Sequence, residues 1–314
     1  MKKLHVIKPG FLSLLQDGGR FGHHTIGLTN GGPMDPDAFR WANRLCENND
    51  NSTAIEVTFG GLQLIASGDM RIAVAGAVMP LTINGENQPL WQTHFIRSGD
   101  RIELGFCQQG CRSYLAVEGG LDIAEEFGSN STVVREGLGG LSGLALQKDD
   151  RLPCATGPKH TQRPTLRVPE KFRPQYGKHV ELRVIPGFQE SSFSRYQQRL
   201  FFNSRYTVSD QCDRMGYRLN GPTIESSITT MLSEGICLGA IQIPGDGQPI
   251  ILLNDRQTIG GYPKIGSVLS LDLAKLAQLQ PGAEISFTPI SMDHAHNQLH
   301  LHHTRWQQMQ PEEL

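Results

Sequence analysis

The sequence has neither a long apolar run nor a block of basic residues. No apolar stretch approaches the roughly 20 residues that a membrane-spanning helix needs. The 29 Lys and Arg side chains are balanced by 31 Asp and Glu and are spread along the chain. Such a distribution builds no continuous surface for nucleic-acid phosphates. These absences argue against a membrane protein and against a nucleic-acid partner.

Patterned cysteines and common enzyme signatures are also missing. None of the six cysteines forms a Cys-x-x-Cys pair, and the chain has neither a Walker A motif nor a His-Glu-x-x-His motif. The first seven residues begin like a secretion signal, but Lys8-Pro9-Gly10 interrupts the apolar run at once. We therefore expect a first strand here, a cytoplasmic protein and reduced thiols.

Histidines are concentrated near the C-terminus, where His296 and His300 are spaced to share one face of a helix. We interpret residues 292–314 as a His-rich polar tail and predict no metal site.

Glycine and proline are abundant, with 35 and 18 residues, which favours short strands and turns over long helices. Asn84-Gly85 predicts a two-residue hairpin turn, and Asp35-Pro36 predicts the start of a helix that runs to Leu45. Short β-branched or aromatic runs recur about every 8–12 residues and predict strands. In the first half these runs are 54–59, 62–66, 70–75, 79–83, 93–96, 101–106 and 112–117.

A polar, proline-rich stretch divides the chain. We predict an N-terminal β-rich domain at 1–155, a linker at 156–178 and a C-terminal barrel domain at 179–291. The second half repeats the strand pattern with two short helices, and two related barrels would explain the likeness of the halves. Its strands are predicted at 180–185, 218–219, 229–232, 240–243, 250–253, 268–271 and 285–290, and its helices at 193–201 and 273–279.

The segment 254–263 is the strongest site candidate. It follows the continuously apolar run 250–253, so a buried strand should deliver its polar side chains to one place. Paired glycines let backbone N–H groups approach a carbonyl or an oxyanion closely. The alternative is a tight turn whose aspartate satisfies backbone amides. The candidate catalytic residues are Asp255, Gln257, Thr258 and Tyr262, with Asn254, Gly260 and Gly261 as substrate-binding residues.

A second group of candidates lies upstream. Arg214 and Arg218 bracket Gly216, and a guanidinium fork suits a substrate carboxylate, although a structural salt bridge is an equal alternative. Glu234 is a further acidic candidate. We assign Arg214, Gly216, Arg218 and Glu234 to substrate binding.

Four glycine-rich segments, 15–35, 112–132, 213–219 and 233–263, closely resemble in order the biotin-dependent carboxyltransferase domains, also called the allophanate hydrolase subunit 2 family. The resemblance covers about residues 4–290. One departure is Ile259, where similar proteins usually carry threonine. The resemblance implies a mainly β fold with a minor α component, built from two cyclophilin-like barrel domains with a few short helices.

The family includes the carboxyltransferase part of urea amidolyase, an antagonist of a sporulation kinase inhibitor, and one subunit, designated C, of bacterial 5-oxoprolinase. A free-standing chain of this length is most similar to the last group. The resemblance thus implies one subunit of an amidohydrolase that opens 5-oxoproline to glutamate with ATP hydrolysis and is inactive alone. Two alternatives stay open: a biotin-dependent carboxyltransferase, or a regulatory protein that binds a kinase-inhibitor-like partner.

The same resemblance implies partners and cofactors. One partner would be a kinase-inhibitor-like protein of the allophanate hydrolase subunit 1 family, and the other a lactam-utilisation-type protein. ATP would be used by the assembled complex rather than bound by this chain alone. Biotin would be a cofactor only under the carboxyltransferase alternative.

Overall fold

The computed structural model describes residues 2–155, 164–228 and 230–314. The chain divides into two compact units. Unit 1 comprises Met1–Gly22, Asn30–Tyr176 and Met309–Leu314, and unit 2 comprises His23–Thr29 and Gly177–Gln308. Strands outnumber helices throughout, so the mainly β fold class is confirmed.

The helices are α1 (Pro36–Leu45), α2 (Arg195–Asn203), α3 (Ser270–Ala277) and α4 (Met292–Gln308). The strands are β1 (Lys3–Pro9), β2 (Leu12–Gln16), β3 (Ala54–Thr58), β4 (Leu62–Ala66), β5 (Met70–Val78), β6 (Leu81–Ile83), β7 (Glu86–Gln88), β8 (Thr93–Ile96), β9 (Arg101–Leu104), β10 (Gln109–Val117), β11 (Arg151–Pro153), β12 (Leu166–Arg167), β13 (His179–Pro186), β14 (Arg205–Cys212), β15 (Gly216–Asn220), β16 (Glu234–Gly235), β17 (Ala240–Gln242), β18 (Ile250–Leu252), β19 (Ile259–Gly260), β20 (Lys264–Val268), β21 (Glu284–Pro289) and β22 (Glu312–Glu313).

Unit 1 contains two antiparallel sheets around one apolar core. Their strand orders are β11-β1-β4-β9-β6-β7 and β2-β3-β10-β5-β8. The core draws side chains from both sheets, such as Leu64 of β4 and Leu115 of β10. Helix α1 contacts β5 and β10, and Phe39 meets Tyr114 edge-to-face. Strand β10 is therefore buried on both sides, which explains its nearly unbroken run of buried residues.

Two local predictions in unit 1 are confirmed. Asp35 caps α1, since its carboxylate accepts a hydrogen bond from the Ala38 amide at 3.1 Å. Asn84 and Gly85 connect β6 and β7 with φ angles of 54° and 83°, which is the backbone that a type I′ turn requires.

Unit 2 contains a closed barrel with strand order β13-β20-β17-β18-β15-β14-β21. Strands β13 and β21 close it by pairing in parallel, from His179 opposite Glu284 to Val184 opposite Pro289. The barrel expected in the second half is thus confirmed, whereas the described strands of unit 1 form the two large sheets and the two-stranded sheet β12-β22. Buried barrel residues include Leu182, Tyr206, Tyr217, Leu219, Ile241, Ile251, Ile285 and Phe287.

Two strand predictions in unit 2 are wrong. Residues 230–232 form no strand, while Thr229 lies outside the described residues. The run 268–271 combines the end of β20 with the first turn of α3. The helix starts there because Asp272 is anchored to β13, where its carboxylate accepts hydrogen bonds from the Arg183 amide and guanidinium. Short apolar runs do not distinguish a strand from a helix.

The division of the chain differs from the predicted domain bounds. Residues 164–176 of the predicted linker belong to unit 1 and include β12, which pairs with β22. The stretch 156–163 lies outside the described residues. The predicted polar tail contains helix α4, whose Ala295 and Trp306 are buried. Pairing with β22 orders the polar segment of β12, and burial of Ala295 and Trp306 anchors α4.

Candidate functional site

Four side chains form a row across adjacent strands of the barrel. Arg218 of β15 is opposite Ile250 of β18, Ile250 is opposite Gln242 of β17, and Gln242 is opposite Lys264 of β20. Directly opposed residues of antiparallel strands point to the same face of a sheet. Their neighbours Tyr217, Ile241 and Ile251 are buried in the barrel. The row therefore lies on the outer face and, at about 4.8 Å per strand, spans about 14 Å.

A two-stranded ribbon formed by β16 and β19 lies against the Lys264 end of this row. Glu234 of β16 is opposite Gly260 of β19. The Glu234 carboxylate accepts hydrogen bonds from Lys264 Nζ and, at 2.8 Å, from Gln189 Nε2. Gln189 Oε1 in turn accepts from the Lys264 amide at 2.7 Å. The Gln189 side chain therefore links the ribbon to β20 through hydrogen bonds.

Gln242 lies beneath the ribbon with only 2% of its surface exposed. Within the residues that the structure describes, its Nε2 atom has no hydrogen-bond acceptor. A Cβ atom at Gly260 would lie 2.9 Å from Gln242 Nε2 and 3.5 Å from Gln257 Nε2. Two side-chain amides thus approach the Gly260 backbone, where only glycine leaves this space. Because a buried donor without an acceptor costs about 1–3 kcal/mol, Gln242 is suited to a carbonyl ligand.

The structure places Asp255 and Arg214 together in a buried ion pair. Arg214 Nε and Nη2 donate to the two carboxylate oxygens of Asp255 at 2.8 and 2.9 Å. Both residues are 5% exposed. The geometry is the structural salt bridge that the sequence left open for Arg214, and it engages both oxygens of the Asp255 carboxylate. The roles of Asp255 and Arg214 towards a substrate stay predictions. The pair fixes the start of segment 254–263 against the turn before β15.

Arg256 is a structural residue that the sequence analysis missed. It is 5% exposed and donates from Nε to the Ile236 carbonyl at 3.2 Å and from Nη1 to the Leu253 carbonyl at 3.3 Å. Burial lowers the pKa of its guanidinium below the ordinary value. Arg256 thereby connects segment 254–263 to the ribbon, together with the bond from the Ile236 amide to the Thr258 carbonyl at 3.0 Å.

The other predicted residues fall into three groups. Gln257, Gly260, Gly261 and Glu234 lie at the ribbon, and a Cβ atom at Gly261 would meet the Met231 carbonyl at 3.3 Å. Arg218 belongs to the row and pairs with Asp246, while Gly216 sits in β15 opposite Leu252. Asn254 and Thr258 are half-buried, and Tyr262 is 47% exposed.

Sequence reasoning missed three polar members of the site: Gln189, Gln242 and Lys264. One signal was available, because Gln242 is the only polar residue in the predicted strand 240–243. Gln189 and Lys264 carried no such signal, since only the folding of the barrel brings them to Glu234.

The glycine-rich segments of unit 1 serve architecture. The Asp17 carboxylate accepts hydrogen bonds from Ser129 Oγ at 2.6 Å and Ser131 Oγ at 2.7 Å. Arg20 is 1% exposed and donates from Nε to the Glu126 carbonyl at 3.0 Å. These bonds join two loops that are more than a hundred residues apart in the chain.

Across the described ranges, the structure contains no group of three or more His, Cys, Asp or Glu side chains that could hold a metal ion. None of the helices in those ranges is long and apolar enough to cross a membrane.

The barrel, its ribbon and the ordered motifs correspond to a known family. Residues 26–289 match the family model of the carboxyltransferase domain, subdomain A and B. The chain therefore belongs to the carboxyltransferase domain family. Among individual relatives, it is 36% identical to the 5-oxoprolinase subunit designated C of Escherichia coli K12, over 93% of both chains. It is also 35% identical to the corresponding 5-oxoprolinase subunit of Haemophilus influenzae, over 90% of this chain and 89% of that one.

Solved structures give the same fold within longer chains. The urea amidolyase of Kluyveromyces lactis superimposes with a TM-score of 0.88 at 30% identity, over 94% of this chain but only 19% of that chain. TTHA0988 superimposes with a TM-score of 0.83 at 34% identity, over 92% of this chain and 56% of that chain. The chain thus spans little more than half of one solved relative and about a fifth of the other.

Proposed function

We propose that this chain is a subunit of an ATP-dependent 5-oxoprolinase and that the outer barrel face at Gln242 binds the cyclic amide. The observation that carries the proposal is the buried Gln242 Nε2 donor, which faces Gly260 and has no acceptor among the described residues. The likeness to a 5-oxoprolinase subunit over 93% of both chains supports the choice of substrate.

The chemistry of 5-oxoproline fits the row. Its ring carbonyl can accept a hydrogen bond from Gln242 Nε2. Its carboxylate requires a cation, and Lys264 lies directly opposite Gln242 on the neighbouring strand. Glu234 fixes the position of the Lys264 ammonium, whose remaining N–H groups can donate to the substrate carboxylate. The two contacts would fix the ring between the ribbon and the barrel.

Opening the ring breaks the amide C–N bond, adds water to the carbonyl carbon and places a proton on the nitrogen. We assign substrate positioning to this chain and leave the ATP-dependent step to the assembled complex. The proposed partners are the kinase-inhibitor-like and the lactam-utilisation-type proteins. Without them the amide would be bound but not opened, so the chain is expected to be inactive alone.

A biotin-dependent carboxyltransferase is the second proposal. The observation that favours it is the superposition on urea amidolyase with a TM-score of 0.88. The ureido carbonyl of biotin is a hydrogen-bond acceptor of the same kind as a lactam carbonyl, so Gln242 would serve either ligand.

The test measures glutamate release from 5-oxoproline and ATP by the three proteins together and with each one omitted. Omission of this chain should abolish glutamate release. An unchanged rate would show that the chain has no part in catalysis. Gln242→Leu should lower kcat/KM by about 10- to 100-fold, since one hydrogen bond to the carbonyl is lost. The same variant should leave thermal stability unchanged or raised, because a buried amide without an acceptor is replaced by an apolar group.

The matched control is Gln211→Leu, an exposed glutamine on strand β14 of the same barrel. It should change neither kcat/KM nor stability. If both glutamine variants retain full activity, the amide-binding role of Gln242 is wrong. A loss of glutamate release when this chain is omitted would still show that the complex needs the chain.

A further inference from the structure

We infer that Gln257 recognises the amide edge of the substrate ring and selects rings whose N–H and C=O groups point to the same side. The inference rests on the proposed function, because it takes Gln242 to bind the ring carbonyl. It adds the residue that distinguishes a cyclic amide from other five-membered rings.

The side chains of Gln257 and Gln242 meet at one point beside the backbone of β19. A Cβ atom at Gly260 would lie 2.9 Å from Gln242 Nε2 and 3.5 Å from Gln257 Nε2. The two side chains come from different segments, Gln242 from the end of β17 and Gln257 from the loop before β19. The terminal torsion of a glutamine is soft, so one acceptor oxygen near this point can receive hydrogen bonds from both nitrogens.

The two amides differ in exposure. Gln242 is 2% exposed, whereas Gln257 is half-buried. Ile236 Cδ1 lies 2.4 Å from the same Cβ position, so an apolar side chain borders both amides. A hydrogen bond made beside such a group is shielded from water and is stronger than an exposed one. A ligand therefore enters past Gln257, with Gln242 at the inner end of the site.

The backbone on both sides of Gln257 is held in place. Arg256 donates to the Ile236 and Leu253 carbonyls at 3.2 and 3.3 Å. The Thr258 carbonyl accepts a hydrogen bond from the Ile236 amide at 3.0 Å. A side chain on a backbone fixed in this way loses less conformational freedom when a ligand binds.

The chemistry of a carboxamide matches the edge of a lactam. Gln257 carries a donor, Nε2, and an acceptor, Oε1, on the same carbon atom. A five-membered lactam holds its planar amide cis, so its N–H and C=O groups face the same side of the ring. Nε2 would donate to the ring carbonyl while Oε1 accepts from the ring N–H, as when glutamine binds an adenine edge with two hydrogen bonds. With Gln242 Nε2 as a second donor, both lone pairs of the ring carbonyl are used.

This pairing predicts which rings the site accepts. 5-Oxoproline supplies both the N–H and the C=O group. Its lactone analogue has an oxygen atom in place of the N–H, so Gln257 Oε1 would face a lone pair, and a site built for a hydrogen bond rejects such an analogue. The ureido ring of biotin presents the same edge as the lactam. The ligand class is therefore a five-membered ring with adjacent N–H and C=O groups.

The test is the affinity of the assembled three-protein complex, measured by isothermal titration without ATP so that no ring is opened. 5-Oxoproline is compared with its lactone analogue. The unsubstituted complex should bind the lactam at least about tenfold more tightly than the lactone, since only the lactam donates to Gln257. Gln257→Leu should weaken lactam binding at least about tenfold and remove most of the preference for the lactam.

The matched control is again Gln211→Leu on the exposed side of β14, which should keep both affinities and the preference. Circular dichroism checks that Gln257→Leu is folded. A structural role of Gln257 would weaken the binding of both ligands equally and leave the preference unchanged, and that result would overturn the inference. Equal binding of lactam and lactone by the unsubstituted complex would overturn it as well.

Titration with biotin distinguishes the two sources of such an edge. Binding of 5-oxoproline but not of biotin, lost in Gln257→Leu, supports the lactam. The reverse result would assign the same contacts to a ureido ring, and binding of neither ligand would overturn the inference. An unchanged preference in Gln257→Leu together with impaired glutamate release by Gln242→Leu would refute the role of Gln257 and leave the proposed function intact.

Discussion

At the scale of single residues, the ion pair between Arg214 and Asp255 changes the expected effect of replacing Asp255. From the sequence, Asp255 was expected to act on substrate, so its loss should have affected turnover alone. In the structure, both carboxylate oxygens are engaged by a guanidinium that is itself buried. Removal of one member leaves the other charge without its counterion in a poorly solvated place.

Asp255→Ala should therefore destabilise unit 2 by about 3–5 kcal/mol, because the buried Arg214 charge loses its partner. The measurement is urea unfolding followed by circular dichroism. Asp246→Ala is the control, since it breaks the more exposed pair with Arg218 and should cost about 0–1 kcal/mol. A fully stable but inactive Asp255→Ala chain would return Asp255 to a catalytic role.

Gly260 gives a second prediction for a single residue. The methyl group of Gly260→Ala would lie 2.4 Å from Ile236 Cδ1 and 2.9 Å from Gln242 Nε2, so both side chains must move. Its φ angle is not in the left-handed region, so the backbone itself tolerates alanine. We expect a folded chain whose KM for 5-oxoproline in the assembled complex rises at least about tenfold. Gly261→Ala is the matched control, because its methyl group would meet no atom closer than the Met231 carbonyl oxygen, at 3.3 Å. Equal effects of the two substitutions would contradict the special position of Gly260.

At the scale of elements, strand β8 carries a buried titratable side chain. Strand β8 buries His94, whose ring Nε2 lies 2.7 Å from the Pro89 carbonyl. Burial lowers the pKa of His94 below its ordinary value of 6.5, against the opposing effect of the bond to Pro89. An imidazole that resists protonation in the folded chain makes stability depend on pH.

The sign follows from the lowered pKa. Above pH 6.5 His94 is neutral in both states and its contribution to stability is fully present. As the pH falls below that value, the unfolded chain binds a proton that the folded chain does not, so stability is lost towards the folded pKa. His94→Gln should reduce the fall in the free energy of unfolding between about pH 7 and pH 5, measured by urea titration at each pH. An identical pH profile for both chains would show that His94 titrates normally.

At the scale of the whole molecule, the two units exchange short segments of chain. Residues Met309–Leu314 belong to unit 1 although α4 before them belongs to unit 2, and His23–Thr29 belong to unit 2. Within unit 1, the Arg44 guanidinium donates to the Met309 carbonyl at 3.0 Å, and Arg167 pairs with Glu312 at 2.7 Å. A division of the chain at residue 176 would thus deprive each unit of part of its structure.

Deletion of residues 309–314 should destabilise unit 1 by roughly 1–3 kcal/mol, because β12 loses its partner strand and Arg44 loses an acceptor. Differential scanning calorimetry should show a lower melting temperature for unit 1, with the unfolding of the barrel unchanged. Glu313→Gln, a change at an exposed position, serves as the control. An unaltered thermogram after the deletion would mean that the terminal strand adds no stability.

The sequence by itself determined the mainly β class, the capped helix α1 and the Asn84-Gly85 turn. These features depend on neighbours in the chain, such as the Asp35 cap and the positive φ at Gly85. It also placed Glu234, Gly260 and Arg218 among the binding candidates, and these lie at the ribbon or in the row.

Only the tertiary structure decided which polar residues meet. Strand pairing sets Gln242 between Ile250 and Lys264, and it brings Gln189 to Glu234 from 45 residues away. It also joins Arg214, a substrate-binding candidate, to Asp255, a catalytic candidate, in a buried ion pair across 41 residues. Such contacts depend on strand register and on chain segments far apart in sequence, which local patterns of polarity do not specify.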